Sequence, residues 1–121
     1  MTGSVGAAPD GTRLWLNDVQ TPPDDSWTWV KTVADATALM EAGQVAEASL
    51  DHDLGEGVDG RELPEGRTLV YWMAEHGCWP TEGITVHSAN PVGVDYMLGM
   101  IERYGPFVRV GRTRRFVRPA Q

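Results

Sequence analysis

Two carboxylates with an imidazole between them, Asp51, His52 and Asp53, directly follow a short run of mostly apolar residues at 45–50. If that run is a strand, its alternation places Asp51 and Asp53 on one side of the backbone and His52 on the other. Unpaired charges are costly inside a hydrophobic core. We therefore expect this group at the mouth of a sheet, where a metal ion, a phosphate or water can contact it. The alternative is a solvated acidic loop that caps the next helix.

Two further polar groups follow runs that are typical of strands. The first is Asn17-Asp18, after residues 13–16, and the second is His-Ser-Ala-Asn at residues 87–90, after residues 83–86. One polar strand end is common by chance, whereas three in one small domain predict a site. Carboxylate oxygens suit Mg²⁺ or Mn²⁺, and an imidazole that titrates near neutral pH suits proton transfer.

Composition excludes several classes of protein. The chain has 121 residues, of which 41% are hydrophobic and 22% charged, values that are ordinary for one globular domain. It contains no apolar run of membrane-spanning length, and its first residues lack the features of a secretory signal. A single cysteine, Cys78, rules out an internal disulfide. We expect a cytoplasmic protein without a membrane partner.

Charge is unevenly distributed along the chain. The net charge of −7 argues against generic DNA binding. Many of the basic residues are arginines near the C-terminus, and the planar guanidinium can donate two hydrogen bonds to a phosphate. Arg109 and Arg112 follow a strand-like run and are predicted to be close to a site, with Arg112 as a substrate ligand. Arg115 and Arg118 are predicted to form an exposed basic tail.

Strand-like and helix-like segments alternate along the chain. Residues 1–12 are predicted to be a flexible leader and residues 13–118 a single domain. The predicted strands are 13–16, 27–30, 45–50, 83–86 and 107–110. The predicted helices begin at Thr32 or Asp35, at Pro64-Glu65 and at Pro91, and they end at Gly43, Gly77 and Gly105. Their inward residues are predicted to be Val33, Ala36, Met40, Leu69, Val70, Trp72, Met73, Val94, Met97, Ile101 and Tyr104.

This alternation indicates an α/β fold with a mainly parallel, five-stranded sheet. Central strands are predicted to contain Leu14, Leu16, Leu50, Val86 and Val108. Too few residues separate the first two strands for a crossover helix, so a proline-containing loop should replace the first helix. In open sheets of this kind ligands bind beyond the carboxyl ends of the strands, which is where the three polar groups would meet.

The order of these groups resembles the receiver domain of two-component signalling. In that domain acids follow the first and third strands, and Ser88-Ala89 matches the small polar position after the fourth. The resemblance implies a flavodoxin-like, three-layer sandwich and a phosphorylated aspartate at Asp51. His52 and His87 are foreign to ordinary receivers, and no lysine follows the last predicted strand.

The sequences Ser-Leu-Asp-His-Asp-Leu-Gly at 49–55 and Val-His-Ser-Ala-Asn at 86–90 look closer to a receiver-derived group, the cyclic-phosphate-processing receiver-like family. The similarity covers about residues 13–110. It implies roles in processing nucleotides or RNA ends, including conflict between phage and bacteria. The site positions that it carries over are Asp18, Asp51, His52, Asp53, His87, Ser88 and Asn90.

Two mechanisms of cyclic-phosphate hydrolysis fit these residues. In the first, Asp18 and Asp51, alone or together with Asp53, hold Mg²⁺ or Mn²⁺, and His52 or His87 protonates the leaving oxygen. Asp53 is also predicted to be a catalytic residue. In the second, the two histidines act as an acid/base pair without metal. Ser88, Asn90 and Arg112 would bind the phosphate oxygens. We favour the metal-assisted phosphodiesterase, because three carboxylates without a cation would repel an anionic substrate.

The rival interpretation is a non-catalytic receiver-like module that binds or sequesters a cyclic nucleotide or binds a protein partner. Trp27 or Trp29, if exposed, could stack a base in either case. Trp15 and Trp72 are expected to pack in the core. The substrate could be a cyclic nucleotide, a cyclic oligonucleotide or the 2′,3′-cyclic end of an RNA.

Overall fold

The computed structural model describes residues 11–43, 45–54 and 65–119. Within these ranges the chain forms strands and helices in the following order: β1 (Thr12–Leu16), β2 (Trp27–Val30), α1 (Val33–Ala42), β3 (Val45–Leu50), α2 (Gly66–His76), β4 (Gly83–Val86), α3 (Pro91–Tyr104), β5 (Val108–Arg109) and β6 (Arg115–Val117). Most of the predicted leader, the glycines at positions 55, 57 and 60, and the predicted helix start at Pro64 lie outside the described residues.

The helix ends follow the capping signals in the sequence. The Thr32 side chain accepts a hydrogen bond from the Asp35 backbone N–H and so caps α1, as predicted. At the end of α2, Gly77 adopts the left-handed conformation at φ 61°.

The predicted inward position of Tyr104 is wrong, because this last residue of α3 is 52% exposed, and the Arg103 guanidinium lies over its ring. None of the helices in the described ranges has both the length and the apolar character that a membrane crossing needs.

The strands form one sheet in the order β2-β1-β3-β4-β6-β5. Strands β1 to β4 pair in parallel, and the parallel pair of β1 and β2 joined by a loop is confirmed. The described sheet has six strands, not the predicted five. The predicted central strand at 107–110 is also wrong, because β5 lies at the sheet edge and Val108 is 51% exposed.

A hairpin that was not predicted explains this error. The chain reverses at Gly111, which has φ 55°, and returns as β6 antiparallel to both β4 and β5. Phe116 in β6 is fully buried, whereas the residues of β5 are exposed. The larger apolar side chain therefore takes the place beside β4 that Val108 was expected to fill.

All three described helices lie on the same face of the sheet. The connections from β2 to β3 and from β3 to β4 join parallel strands and step across the sheet in the same direction, so right-handed crossovers place α1 and α2 on one face. The buried residues of α3 belong to the same core cluster as those of α1 and α2. The shared core accordingly contains the sheet residues Leu14, Leu16, Leu50, Val86 and Phe116 together with the inward residues of the helices. The connection from β1 to β2 steps the opposite way, but it is a loop at 17–26. The described residues therefore agree with the predicted receiver-like α/β fold, in which the first crossover helix is replaced by a loop.

The opposite face of the sheet carries polar and aromatic side chains. Glu47 lies in its centre and pairs with Arg13 Nε at 2.7 Å and with Arg115 Nη2 at 2.7 Å. Burial alone would raise the pKa of Glu47, but the two guanidinium groups outweigh it and hold that pKa below its usual value. Arg115 is thus part of the sheet, and its predicted place in an exposed basic tail is wrong. Arg118 remains exposed, although its guanidinium contacts the Pro80 carbonyl.

Candidate functional site

The three polar strand ends meet at one edge of the sheet. Strands β1, β3 and β4 are neighbours in register, so that Leu16 pairs with Leu50 and Leu50 with Val86. The backbone continues this pairing beyond the strands, because the Asp51 N–H donates to the Leu16 carbonyl at 3.0 Å and the His87 N–H donates to the Leu50 carbonyl at 2.8 Å. We call this region, formed by Asn17-Asp18, residues 51–53 and residues 87–90, the polar edge.

Asp51 is the central carboxylate of the polar edge. Burial raises its pKa, and the negative charges of Asp53 and Asp18 raise it further. Hydrogen bonds from the His52 backbone N–H, at 2.8 Å, and from the Ser88 hydroxyl act in the opposite direction but do not cancel the shift. The three predicted aspartates therefore lie within electrostatic range of one another.

The donor set at the polar edge suits a hard divalent cation. Among the residues that the structure describes, no three side chains of aspartate, glutamate, histidine or cysteine are grouped as a metal site. Mg²⁺, however, is usually held by one or two carboxylates, with water and substrate phosphate filling the other positions. Asp18 and Asp51 provide such a pair. The burial and repulsion that raise the pKa of Asp51 are what a bound cation would relieve.

His52 points into the protein, away from solvent. Its side chain is 7% exposed; Nδ1 lies 3.0 Å from Asp53 Oδ1, and Nε2 lies 2.9 Å from Glu65 Oε2. The second contact is close but lacks the angle of a hydrogen bond. Helix α3 packs directly on the ring, since a Cβ on Gly93 would lie 2.3 Å from His52 Cγ. His52 therefore contacts Asp53 from behind and would not reach a substrate directly.

His87 is held by both of its ring nitrogens. Nδ1 lies 2.7 Å from Ser49 Oγ, and Nε2 lies 3.2 Å from Asn17 Nδ2. The orientation of the Asn17 amide is fixed because its Oδ1 accepts the backbone N–H groups of Val19 and Gln20. Its NH₂ group therefore donates a hydrogen bond to Nε2. The proton of the neutral His87 ring is then on Nδ1, which donates a hydrogen bond to Ser49 Oγ.

Burial lowers the pKa of His87 from 6.5 to about 4. The imidazole is therefore neutral at physiological pH. This state does not suit the expected role of His87 as proton donor to the leaving oxygen, because the ring is packed against Trp15 and bonded to neutral partners.

Ser88 and Asn90 connect the carboxylates to helix α3. The Ser88 hydroxyl donates to Asp51 and accepts the Asn90 backbone N–H at 3.1 Å. The Asn90 side chain caps α3 by accepting the Gly93 N–H at 3.0 Å, and its NH₂ group contacts both oxygens of Asp53 at 3.2 and 3.3 Å. Asp53 itself is 61% exposed, so it is the carboxylate that His52 and Asn90 hold toward solvent.

A different arginine from the predicted one reaches the polar edge. Arg112 is exposed in the turn before β6, and no contact joins it to the described residues of the polar edge. Arg109 donates to the Thr113 carbonyl at 2.7 Å and so belongs to the hairpin. Arg114 Nη1, by contrast, donates to the Ser88 carbonyl at 2.7 Å. Because β6 is antiparallel, its first residues lie at the carboxyl edge of β4, and the residue before it reaches the site.

Sequence reasoning missed Arg114 and also Glu65, the partner of His52. The signal for Arg114 was the short alternation Arg115-Phe116-Val117, which indicates a returning strand with a buried central residue. Glu65 carried no signal of its own, because its role depends on how α2 approaches the end of β3. That approach is close: a Cβ on Gly66 would lie 2.0 Å from the Asp51 carbonyl oxygen.

The family model described as "Cyclic-phosphate processing Receiver domain" matches residues 12–103, which contain β1 through most of α3. No curated protein matches the chain, and no solved structure does. The matched segment includes every residue of the polar edge and ends before Arg114.

Proposed function

The chain belongs to the family of cyclic-phosphate processing receiver domains, and on that basis we propose that it is a metal-assisted phosphodiesterase that opens a cyclic phosphate. The observation that carries the proposal is the convergence of Asp18, Asp51 and Asp53 at one sheet edge, with the charge of Arg114 beside them. A cation held by the carboxylates would balance their charge and attract a phosphodiester. Without a cation, the same edge would repel that substrate.

In this proposal Asp18 and Asp51 hold Mg²⁺ or Mn²⁺. When bound, such a cation polarises a phosphoryl oxygen and lowers the pKa of a coordinated water. Ser88 keeps the Asp51 carboxylate oriented, since its hydroxyl donates to Asp51 while its backbone carbonyl is held by Arg114. The guanidinium of Arg114 has further N–H groups that can donate to a phosphate oxygen.

Asp53, rather than either histidine, is the residue that we propose moves the proton. It is exposed, whereas His52 is buried behind it and His87 is neutral and bonded at both nitrogens. Asp53 would accept a proton from the attacking water as the new P–O bond forms. One ester P–O bond of the ring then breaks, and Asp53 returns the proton to the leaving oxygen. One water is consumed and a phosphomonoester is formed.

Proposed roles for the histidines are positional. His52 would fix the orientation of Asp53, which it contacts through Nδ1. His87 would hold Asn17, whose side-chain oxygen closes the turn that contains Asp18. This differs from the expected catalytic roles of His52 and His87, and a pH profile without an imidazole titration would support it.

The test is a substrate panel with defined metal content. A 3′,5′-cyclic nucleotide, a cyclic dinucleotide and an RNA with a 2′,3′-cyclic end are incubated with the protein in Mg²⁺, Mn²⁺ or EDTA, and the products are separated by chromatography. We expect opening of one of them with metal, none in EDTA and none with Asp51→Asn. Asp95→Asn, an exposed carboxylate on α3, is the matched control and should behave like the wild type. Full activity in EDTA would contradict the metal-assisted mechanism.

A second candidate, a module that binds the cyclic phosphate without cutting it, is favoured by one observation. His52 is buried and both ring nitrogens of His87 are bonded to protein side chains, so neither imidazole is available to protonate a leaving group directly. The same panel separates the two candidates. A binder would retain one ligand through equilibrium dialysis and release it chemically intact.

A further inference from the structure

A groove of about 500 Å³ lies beside the polar edge, between the β1–β2 loop and the outer strand of the sheet. Its walls are two indoles, two prolines and the polar residues of the loop: Thr21, Pro22, Pro23, Asp24, Asp25, Trp27 and Trp29. Both tryptophans belong to β2, which is the edge strand on the side of the sheet away from β6. The volume is within the range of small-molecule sites, about 300–1,000 Å³.

Trp29 connects this groove to the polar edge. Its Nε1–H donates to the Asn17 carbonyl at 2.8 Å, and the same Asn17 holds His87 through its side chain. The indole is 36% exposed, and the Lys31 ammonium lies 4.6 Å from its ring centroid. One end of the groove is therefore fixed at the residue next to Asp18.

The aromatic walls are held in place by neighbouring residues. Trp27 contacts Trp15 edge to face, with centroids 5.6 Å apart, and the Arg13 guanidinium lies 4.0 Å from the centroid of Trp27. The loop is also ordered, because Asp24 Oδ1 accepts the Ser26 backbone N–H at 2.8 Å and the Ser26 hydroxyl. A planar ligand could bind to such walls at little cost in side-chain entropy.

We propose that this groove binds the base of a nucleotide whose phosphate lies at the polar edge. Flat apolar walls suit the face of a nucleobase, and aromatic stacking tolerates any base. Asp24 and Asp25, which also line the groove, disfavour a phosphate within it. The neutral base is then the part of the ligand that enters, and the substrate class is a nucleotide. This inference rests on the proposed function in one respect, the position of the phosphate at the polar edge.

Binding is tested without relying on turnover. The ¹⁵N-labelled protein is titrated with adenosine 5′-monophosphate and, separately, with ribose 5-phosphate, and the tryptophan indole N–H signals are followed by NMR. We expect the Trp27 and Trp29 signals to move with the nucleotide. Its Kd should be about 5- to 150-fold lower than that of ribose 5-phosphate, because stacking contributes about 1–3 kcal/mol per base.

Three tryptophan variants locate the effect. Trp27→Ala should raise the Kd for adenosine 5′-monophosphate toward that for ribose 5-phosphate. Trp29→Phe keeps an aromatic face but removes the N–H bonded to Asn17, so it should weaken nucleotide binding less than Trp29→Ala does. Tyr104→Ala, an exposed aromatic residue on α3, is the control and should leave both constants unchanged. Equal Kd values for the two ligands, or no change with Trp27→Ala, would overturn the inference.

Failure of this inference can be distinguished from failure of the proposed function. Adenosine 2′,3′-cyclic phosphate and the base-free methyl riboside 2,3-cyclic phosphate are assayed in parallel for opening. Opening of both at equal kcat/KM, without movement of the Trp27 and Trp29 signals, would support hydrolysis and overturn the base site. Movement of the two signals without any opening would support the base site in a protein that only binds.

Discussion

The imidazole of His87 lies flat on the indole of Trp15, with ring centroids 4.0 Å apart and an interplanar angle of 8°. This stack stands on the sheet face that the described helices leave uncovered. Trp15 is only 6% exposed, as expected for a core residue, but it does not belong to the cluster that packs against the helices. The pair thus gives the sheet a small second core directly beneath the polar edge. The contact with Trp15 also explains why the His87 imidazole is desolvated.

The first prediction concerns the charge of His87. Its pKa in the folded protein is about 4, against 6.5 for the ordinary side chain. Below pH 6.5 the unfolded chain binds a proton that the folded chain excludes until about pH 4. The free energy of unfolding should therefore fall as the pH decreases through this window. An NMR titration of the imidazole should give the low pKa, and His87→Gln should flatten the pH dependence of unfolding between pH 6.5 and 4.

A pKa for His87 near 6.5 would contradict the neutral stacked ring. It would also reopen the acid/base pair of His52 and His87 as a mechanism. The rate of cyclic-phosphate opening offers an independent check, because a neutral, positional His87 should contribute no titration between pH 6 and 7.

The second prediction concerns Asp51 in the absence of metal. Burial and the charges of Asp53 and Asp18 raise its pKa, so the folded protein loses stability as the pH rises from 3.8 through that higher value. At pH 7.5 Asp51→Asn removes the unfavourable charge, and in EDTA it should raise the Tm by a few degrees. In Mg²⁺ the order should reverse, because only the wild type gains from cation binding.

Asp95→Asn serves as the control in the same melting experiment. Its carboxylate is exposed, and substitutions at such positions usually change stability by less than about 0.5 kcal/mol. A lower Tm for Asp51→Asn in EDTA would contradict the prediction, because it would show that the surrounding protein stabilises the Asp51 carboxylate without a bound cation.

The third prediction concerns the contact between His52 and helix α3. A Cβ on Gly93 would lie 2.3 Å from His52 Cγ, far inside any real contact. In a helix, alanine is favoured over glycine by about 1 kcal/mol, but overpacking a buried ring costs typically about 1–3 kcal/mol and occasionally more. Gly93→Ala should therefore destabilise the protein in denaturant unfolding.

The double variant tells whether His52 is the cause. In the His52→Ala background the space is open, so Gly93→Ala should be neutral or stabilising. An equal loss of stability in both backgrounds would place the strain elsewhere in α3. The cycle also measures how firmly His52 is held behind Asp53, on which the positional role of the imidazole depends.

Much of this fold could be predicted from local patterns. Alternating apolar runs, capping residues and glycine stops located the first four strands and the three helices, and parallel pairing then required that their polar ends meet. The hairpin of β5 and β6 could not be found in the same way. Residues 107–110 look more like a strand than the arginine-rich segment after them, and only the burial of Phe116 decides which segment joins β4.

The position of the candidate site residues at one sheet edge could be predicted from the sequence, whereas their contacts could not. Sequence spacing brings Asp18, Asp51, His52, Asp53 and His87 to one edge, yet burial and partners decide what each can do. Alternation predicted that His52 lies on the opposite side of the backbone from Asp51 and Asp53, but it did not predict that the imidazole is buried. The neutral state of His87 depends on contacts with Trp15 in β1, Ser49 in β3 and Asn17 directly after β1, and no local pattern contains these contacts.

The fourth prediction separates Arg114 from Arg112. Arg114 Nη1 donates to the Ser88 carbonyl at 2.7 Å, which places a positive charge at the polar edge, whereas Arg112 is exposed in the turn and was the expected phosphate ligand. Hydrogen bonds to charged groups contribute about 1.5–3 kcal/mol, so Arg114→Ala should weaken binding of the cyclic phosphate by about 10- to 150-fold. Calorimetry with the same ligand should find Arg112→Ala close to the wild type.

Arg112→Ala and Arg114→Ala remove the same charge from neighbouring positions, so a difference in affinity between them reflects the geometry of the site and not the net charge. Arg114→Lys should recover only part of the affinity, because lysine keeps the charge but loses the planar fork. If Arg112→Ala weakens binding and Arg114→Ala does not, the phosphate lies on the hairpin turn and not at the polar edge.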